Sequence, residues 1–240
     1  MVIGMHPAME AINSGKEIES IFLQIGLKGE GYQELHQLAK DRNIRVKRVP
    51  IEKLNRLSRK NHQGVILFVS PIPFVQLGNL LPQIYEKGQD PFFILLDSIT
   101  DVRNFGAIVR TAEAMGANGI VIGLDNSAPV NEDALKTAAG AFEYLPICRE
   151  HSLTASVDFL RNSGLTIVGV TEKAANSIYT TKFDGPIAII MGAEDVGISD
   201  QLIKECDELV KIPLNGNVAS LNVSVAAGIA ISEIVRQRNT

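Results

Sequence analysis

The 240 residues of this chain are enough for one or two domains that each bury a hydrophobic core. Its composition, 45% hydrophobic and 21% charged with only 2 Cys, excludes disordered, collagen-like and disulfide-stabilised proteins. The formal net charge of -4 is distributed unevenly, because residues 1–70 hold 11 Lys and Arg against 7 Asp and Glu, whereas the rest of the chain is acidic.

The first seventy residues alternate between helical and strand patterns. The spacing of apolar residues predicts a helix at 8–15, a strand at 18–25, a helix at 32–43 and strands at 44–49 and 63–69. This alternation is typical of a small α/β domain, which we expect over residues 1–70.

A run of basic residues lies inside this first domain. Nine Lys and Arg fall between Lys40 and Lys60, against two acidic residues. Such a run indicates a surface that neutralises phosphates, although a solvated basic face has the same composition. The polar segment Asn61–Gly64 follows, which suits base or ribose contacts as well as a turn. The candidate nucleic-acid contacts are Arg45, Lys47, Arg48, Arg59, Lys60 and His62.

A proline-rich break follows the first domain. Pro71 and Pro73 lack the backbone donor that a helix interior or central strand requires, so a linker is expected at 71–76. The second domain, 77–240, begins with a helical pattern at 77–88. Apolar runs that predict buried strands follow at 92–97, 119–125, 166–172, 187–192 and 209–214. Because helical stretches separate most of these runs, we expect a mainly parallel sheet with helices on both faces.

Ligands of such sheets bind beyond the carboxyl ends of the strands, so the residues that follow the apolar runs are informative. The segment 97–116 holds Asn104 and Arg110 near the start of a helix, where phosphate is favoured. Taken singly, Asn104 is also compatible with a helix cap, and Arg110 with an ion pair to Glu113 or Asp101.

Two further segments carry polar residues among glycines. In 191–199, Glu194 lies between Gly192 and Gly197, which would allow a ligand to approach the backbone. The segment 212–228 contains polar residues that precede a helix rich in small side chains: Asn215, Asn217, Ser220 and Asn222. Ser220 alone is compatible with an N-cap, and Asn222 alone with a packed amide.

Several common sites leave no signal in the sequence. The dinucleotide pattern G-x-G-x-x-G, the phosphate-binding pattern G-x-x-x-x-G-K-[ST], paired catalytic carboxylates and a Ser/His/Asp set are not apparent. Isolated cysteines and histidines predict no metal site. No apolar run approaches the roughly 18 residues that cross a bilayer, and the start lacks a basic segment followed by an apolar core. We therefore expect a cytoplasmic protein that transfers a group or binds a ligand.

Three ordered segments together resemble the motifs of the SpoU family of RNA ribose 2′-O-methyltransferases, within the SPOUT superfamily. They read N-F-G-A-I-V-R-T-A at 104–112, M-G-A-E-D-V-G-I-S at 191–199 and I-P-L-N-G-N-V-A-S-L-N-V-S-V-A at 212–226. G-M-H-P-A-M-E-A-I at 4–12 and H-Q-G-V at 62–65 are similar to the family's substrate-binding domain. The resemblance covers nearly the whole chain and is nearest to the branch that methylates a guanosine of 23S ribosomal RNA.

The resemblance implies a catalytic domain with a deep trefoil knot, S-adenosylmethionine as cofactor and a homodimer. The positions that match cofactor contacts are Gly192, Ile212, Leu214 and Leu221, with Leu214 replacing a more usual methionine. Arg110 matches the arginine that takes part in activating the 2′-hydroxyl. The polar positions that match those orienting ribose and cofactor are Asn104, Glu194, Ser220 and Asn222. The basic first domain would hold the RNA.

The partner implied is 23S ribosomal RNA or a pre-ribosomal particle, because the chain carries the additional N-terminal domain. A tRNA ribose 2′-O-methyltransferase stays open, since the catalytic motifs are shared. A non-catalytic RNA-binding assembly factor is a further alternative, against which the intact Arg110, Glu194 and Asn222 argue. A nicotinamide dehydrogenase lacks its glycine pattern.

Overall fold

Residues 1–239 are described by a computed structural model of the chain. Two units divide the chain, Met1–Pro73 and a second that begins at Phe74. The division falls within the 71–76 segment expected as linker. Across residues 1–239, no helix combines the length and apolar character needed to cross a bilayer.

The first unit is a four-stranded sheet with three helices. Its elements are β1 (Val2–Ile3), α1 (Met5–Asn13), β2 (Ile18–Gln24), α2 (Glu30–Asp41), β3 (Val46–Val49), α3 (Ile51–Leu57) and β4 (Val65–Val69). The strand order is β1-β4-β2-β3, with β2 parallel to β3 and β4 antiparallel to both β1 and β2. The α/β class expected for this part of the chain is confirmed.

Two apolar clusters lie on opposite faces of this sheet. On one face, α1 and α2 pack over Ile21 and Leu23 of β2. On the other face, α3 places Leu54 against Val49 and Ile66. Helix α3 was missed by the sequence patterns, because a seven-residue helix buries a single apolar residue and leaves no repeated spacing to detect.

The second unit is a seven-stranded sheet whose strands all run parallel in their described pairings. Its elements are α4 (Leu77–Glu86), β5 (Phe92–Asp97), α5 (Val102–Ala114), β6 (Gly119–Gly123), α6 (Glu132–Ala138), a 3-10 turn (Ala141–Glu143), β7 (Ile147–Glu150), α7 (Leu153–Asn162), β8 (Thr166–Val170), β9 (Asn176–Ser177), β10 (Ile187–Gly192), α8 (Asp200–Lys204), β11 (Glu208–Lys211) and α9 (Val223–Arg238). The strand order is β7-β6-β5-β10-β8-β11-β9.

The central strands are the apolar runs that the sequence marked as buried. All six residues of β5 and the first five of β10 are buried, as expected for strands covered on both faces. The strand expected at 209–214 ends at Lys211, shortly before Pro213, which has no N–H for the ladder. The mainly parallel sheet is confirmed, and the trefoil knot stays a prediction of the resemblance.

Register and helix packing bring three chain segments to one edge of this sheet. Asp97 at the end of β5 pairs with Gly192 at the end of β10, so both strands terminate at the same level. Helix α5 approaches α6 closely at Gly106, where an added Cβ would lie 2.7 Å from the carbonyl oxygen of Ala134. Hydrogen bonds from Asn222 to Asn104 and from the Val223 N–H to Glu194 bring the start of α9 to the start of α5 and the end of β10, beyond the carboxyl ends of the strands.

Candidate active site at the carboxyl edge of the parallel sheet

Three polar side chains from distant parts of the chain form one hydrogen-bonded cluster. Asn104 Nδ2 donates to Glu194 Oε1 at 3.2 Å, and Asn222 Nδ2 donates to the same oxygen at 2.5 Å. Asn222 Nδ2 also donates to Asn104 Oδ1 at 3.0 Å, and the Val223 N–H donates to Glu194 Oε1 at 3.2 Å. A single carboxylate oxygen thus connects the three segments singled out in the sequence.

The helix starts in this cluster are capped by residues other than those that the simplest alternatives suggested. Asp101 caps α5, because its Oδ1 accepts the N–H groups of Arg103 at 2.9 Å and Asn104 at 2.8 Å. The cap alternative for Asn104 is therefore wrong, and its amide faces Glu194. Asn222, not Ser220, caps α9 through its Oδ1, which accepts the Ser224 N–H at 3.0 Å.

Glycines shape the turn that carries Glu194. An added Cβ at Gly192 would lie 2.1 Å from Gly197 C and 2.1 Å from Ile198 N, so the turn folds back directly onto the end of β10. The Gly197 N–H donates to the Ala193 carbonyl at 2.8 Å, and Gly197 has a φ of +76°, a region that favours glycine. This tight turn fixes the direction in which Glu194 leaves the strand.

Asp97 stabilises the end of the same turn by a hydrogen bond. It is buried at the end of β5, and its Oδ2 accepts the Ser199 N–H at 2.7 Å. Sequence reasoning marked the segment but assigned Asp97 no role. The signal was available, since a carboxylate that ends an otherwise apolar buried strand needs a hydrogen-bond partner.

A cavity of about 290 Å³ is lined in part by Glu194. Its lining includes every position matched to cofactor contacts, namely Gly192, Ile212, Leu214 and Leu221, and also Ser220. Thr171, Glu172 and Lys173 line it as well and were missed. They directly follow β8, so the rule that ligands bind beyond strand ends would have found them.

A second cavity of about 260 Å³ is also lined by Glu194. Asn104 and Asp101 line it together with Ser98 and Thr100. The residues common to both cavities are Ala193, Glu194, Asp195 and Val223. Two ligands bound in these cavities would therefore both lie next to Glu194.

Arg110 is not part of this cluster. It is exposed on α5, lines neither cavity, and forms no ion pair with any residue in the described range 1–239. The ion pair with Glu113 or Asp101 considered from the sequence is therefore absent from residues 1–239. Ser220 lines the first cavity without joining the hydrogen bonds of the cluster.

Two of the expected nucleic-acid contacts are internal residues of the first unit. Arg45 is only 2% exposed, and its Nη1 lies 3.8 Å from Glu19 Oε1. His62 is also buried, with Nε2 2.9 Å from Asn55 Oδ1 and Nδ1 accepting the Gly64 N–H at 3.0 Å. Neither side chain can reach a ligand, which corrects the expectation for both. The exposed members of the set are Lys47, Arg48, Arg59 and Lys60.

Comparison with known proteins decides the family. The model of the SpoU rRNA Methylase family matches residues 91–232, more than half of the chain. The chain belongs to the SpoU family. A second family model, RNA 2'-O ribose methyltransferase substrate binding, matches residues 1–75. As a SpoU protein the chain is an RNA methyltransferase.

Individual SpoU relatives extend over most of the chain. A putative TrmH family tRNA/rRNA methyltransferase, YacO of Bacillus subtilis (strain 168), is 33% identical over 239 residues, covering 99% of this chain and 96% of its own. The AdoMet-bound rRNA methyltransferase from Sinorhizobium meliloti shares the fold at a TM-score of 0.63 and 23% identity, over 95% of this chain and 84% of that one. The A. aeolicus TrmH/SpoU tRNA modifying enzyme has a TM-score of 0.58 and 25% identity, over 67% of this chain and 85% of that one.

Proposed function

We propose that this S-adenosylmethionine-dependent RNA methyltransferase modifies a ribose 2′-hydroxyl, at a guanosine of 23S ribosomal RNA. The observation that carries the proposal is the place of Glu194. This residue lines both the cavity that contains the positions matched to cofactor contacts and a second cavity that also includes Asn104. Methyl transfer requires the site to hold the methyl donor and the acceptor next to each other in a fixed orientation.

The residues of the first cavity fit S-adenosylmethionine. Ile212, Leu214 and Leu221 offer apolar contact for an adenine ring, and leucine for methionine at 214 is a substitution of similar volume. Glu172 and Glu194 supply negative charge that complements a sulfonium. When bound, the cofactor supplies a methyl group activated by the positive charge on its sulfur.

The chain's own residues would orient the acceptor. Glu194 Oε1 is engaged by Asn104, Asn222 and Val223, whereas Oε2 accepts no hydrogen bond from any residue in 1–239. We assign Oε2 the role of accepting a hydrogen bond from the ribose hydroxyl. A carboxylate held by three donors is preorganised, so the hydroxyl meets a fixed partner without reorganisation of the site.

Arg110 is proposed to activate the hydroxyl and to clamp a neighbouring phosphate. Its exposed position outside both cavities is accounted for if a second protomer completes the site, in agreement with the homodimer that the resemblance implies. Arg110→Ala should abolish methyl transfer while leaving S-adenosylmethionine affinity within a few-fold. Calorimetric titration of the cofactor and a transfer assay measure the two quantities separately, and retained turnover would remove Arg110 from the mechanism.

The choice of ribosomal RNA is supported by the domain organisation. The S. meliloti rRNA methyltransferase shares the fold over 95% of the chain, whereas the tRNA modifying enzyme of A. aeolicus does so over 67%. Ribosomal RNA is therefore the acceptor that we propose first, and tRNA the second candidate, which the combined tRNA/rRNA name of the YacO relative keeps open.

The deciding experiment is methyl transfer from labelled S-adenosylmethionine to unmodified 23S ribosomal RNA and, separately, to unmodified tRNA. Resistance of the product to alkaline cleavage identifies 2′-O-methylation, and Arg110→Ala serves as the inactive control. Label on ribosomal RNA alone supports the proposal, and label on tRNA alone keeps the reaction but refutes the substrate. Cofactor binding without label on either RNA favours the assembly-factor alternative, unless the same assay with a pre-ribosomal particle gives label.

A further inference from the structure

We propose that Phe22, Phe68, Lys47 and Lys53, on one face of the N-terminal sheet, bind an unpaired nucleotide of the RNA by stacking its base on the aromatic rings. These four residues are called the aromatic platform below. The inference rests on the proposed function in one respect, namely that RNA is the substrate.

The aromatic platform lies on the less covered face of the four-stranded sheet. Within the first unit, helices α1 and α2 pack on the opposite face, whereas the shorter helix α3 packs on this face and buries Leu54. Phe22 on β2 and Phe68 on β4 lie beside α3 and are only partly buried. Their ring centroids are 5.0 Å apart at an interplanar angle of 60°. Two aromatic rings are thus presented together at a sheet surface, an arrangement that suits base stacking.

Two ammonium groups lie over the ring of Phe22. Lys53 Nζ lies 5.2 Å from the centroid of Phe22, and Lys47 Nζ lies 6.0 Å from it. Both lysine side chains are exposed, so a base that stacks on the ring can displace the ammonium groups towards its flanking phosphates. The exposed charges from 47 to 60 are basic except for Glu52. The charge therefore complements the phosphates of a polyanion, and the two aromatic rings favour a nucleotide over an acidic protein segment.

His62 holds the helix that carries Lys53. Because Nδ1 accepts the Gly64 N–H, the ring hydrogen is on Nε2 and is donated to Asn55 Oδ1 of α3 at 2.9 Å. These bonds tie α3 to the turn before β4, the strand of Phe68. His62 is thus a positioning residue for the platform rather than an RNA contact, which explains its burial.

The chemistry selects unpaired RNA. Bases in a duplex are stacked on each other and offer no free face to an aromatic side chain, whereas loops and single strands do. The proposal therefore commits to a single-stranded segment as the occupant.

Fluorescence anisotropy with the full-length protein tests the platform, using a labelled oligoadenylate and a labelled RNA duplex of equal length as probes. Phe22→Leu and Phe68→Leu keep apolar contact with Val49 and Ile66 but lose the ring. Each should weaken oligoadenylate binding about tenfold and duplex binding much less. Phe68→Tyr, which keeps a ring, should bind oligoadenylate within about twofold of wild type.

Charge is tested by a matched pair of lysine variants. Lys53→Ala should lower the slope of log affinity against log salt by about one. Lys16→Ala is the matched control and should leave the slope unchanged. It removes the same charge on the opposite side of the sheet, where the Lys16 backbone N–H donates to Ala11 of α1.

The outcomes separate this inference from the proposed function. Unchanged oligoadenylate affinity in both leucine variants overturns the platform, and so does an equal loss for oligoadenylate and duplex. Wild-type methyl transfer to 23S ribosomal RNA is measured in parallel. Transfer without platform-dependent binding refutes the platform alone, whereas platform-dependent binding without transfer to any RNA refutes the proposed function alone.

Discussion

Gly192→Ala is the substitution whose effect the structure defines most sharply. The added Cβ would stand 2.1 Å from both Gly197 C and Ile198 N, whereas ordinary contact begins at 3.4 Å. The turn must therefore withdraw by about 1.3 Å, because both neighbouring atoms are backbone and no flexible side chain can move aside instead.

The displacement would reach the site and the core together. Glu194 lies within the turn, so its 2.5 Å contact with Asn222 Nδ2 would be broken. Ile198 is buried in an apolar cluster of the second unit and resists outward movement. Misplacement of about 1 Å costs on the order of a hundredfold in rate, and overpacking costs roughly 1–3 kcal/mol in stability. The melting temperature should fall by about 2–4 °C for each kcal/mol.

The assay is methyl transfer to 23S ribosomal RNA together with thermal unfolding and calorimetric titration of S-adenosylhomocysteine. Gly78→Ala is the matched control, because nothing lies within 4 Å of a Cβ at Gly78 on α4. This control should keep full activity and gain up to about 1 kcal/mol of stability. Activity of Gly192→Ala within twofold of wild type would refute the steric argument.

Three further predictions concern the roles of particular side chains. Asn222→Ala should lower both the activity and the melting temperature, because loss of the helix cap costs about 1 kcal/mol. Asn222→Ser should recover the stability but not the activity. Wild-type activity in both variants would contradict a role for the Asn104–Glu194–Asn222 cluster. Arg45→Ala should lower the melting temperature. A double change of Arg59 and Lys60 to Glu should instead reduce the slope of log RNA affinity against log salt by about two without affecting the melting temperature. The reverse pattern would show that Arg45 contacts RNA. Hydrogen bonds from Arg236 and Gln237 lower the pKa of Glu233 from 4.5 to about 2. The wild type should therefore be more stable than Glu233→Gln above pH 4.5, and this difference should disappear as the pH falls towards 2. Urea titrations at a series of pH values measure the difference in the free energy of unfolding.

The sequence was sufficient for the elements whose pattern is strong and local. The runs at 92–97 and 187–192 are contiguous and apolar because both faces of those strands are buried, and the structure has them as β5 and β10. Short elements such as α3 and β7 were missed, since seven and four residues hold too few apolar positions to show a period.

The sequence also located the candidate site, because the rule on strand ends and the family motifs pointed to the same three segments. It could not assign the caps. Asp101 and Asn222 were chosen by the actual starts of α5 and α9, which depend on where each helix packs. Sequence periodicity defines such starts only within a few residues.

Burial of charged and polar side chains was decided by the tertiary structure alone. Arg45 belongs to the same basic run as Lys47, yet one is enclosed beside Glu19 and the other is at the surface. Alternation between the faces of a strand cannot separate two residues that are two positions apart, so the parts of the chain that pack around each side chain decide its burial.

Local composition and spacing determined the two α/β units, the basic character of the first unit and the segments that carry the chemistry. The contacts that make a site joined residues 90 and 118 positions apart, as for Asn104 with Glu194 and with Asn222. Such pairs form only when strand order and helix packing bring their segments to one edge. No local pattern contains that information, because the free energy that selects the arrangement comes from burial distributed over the whole domain.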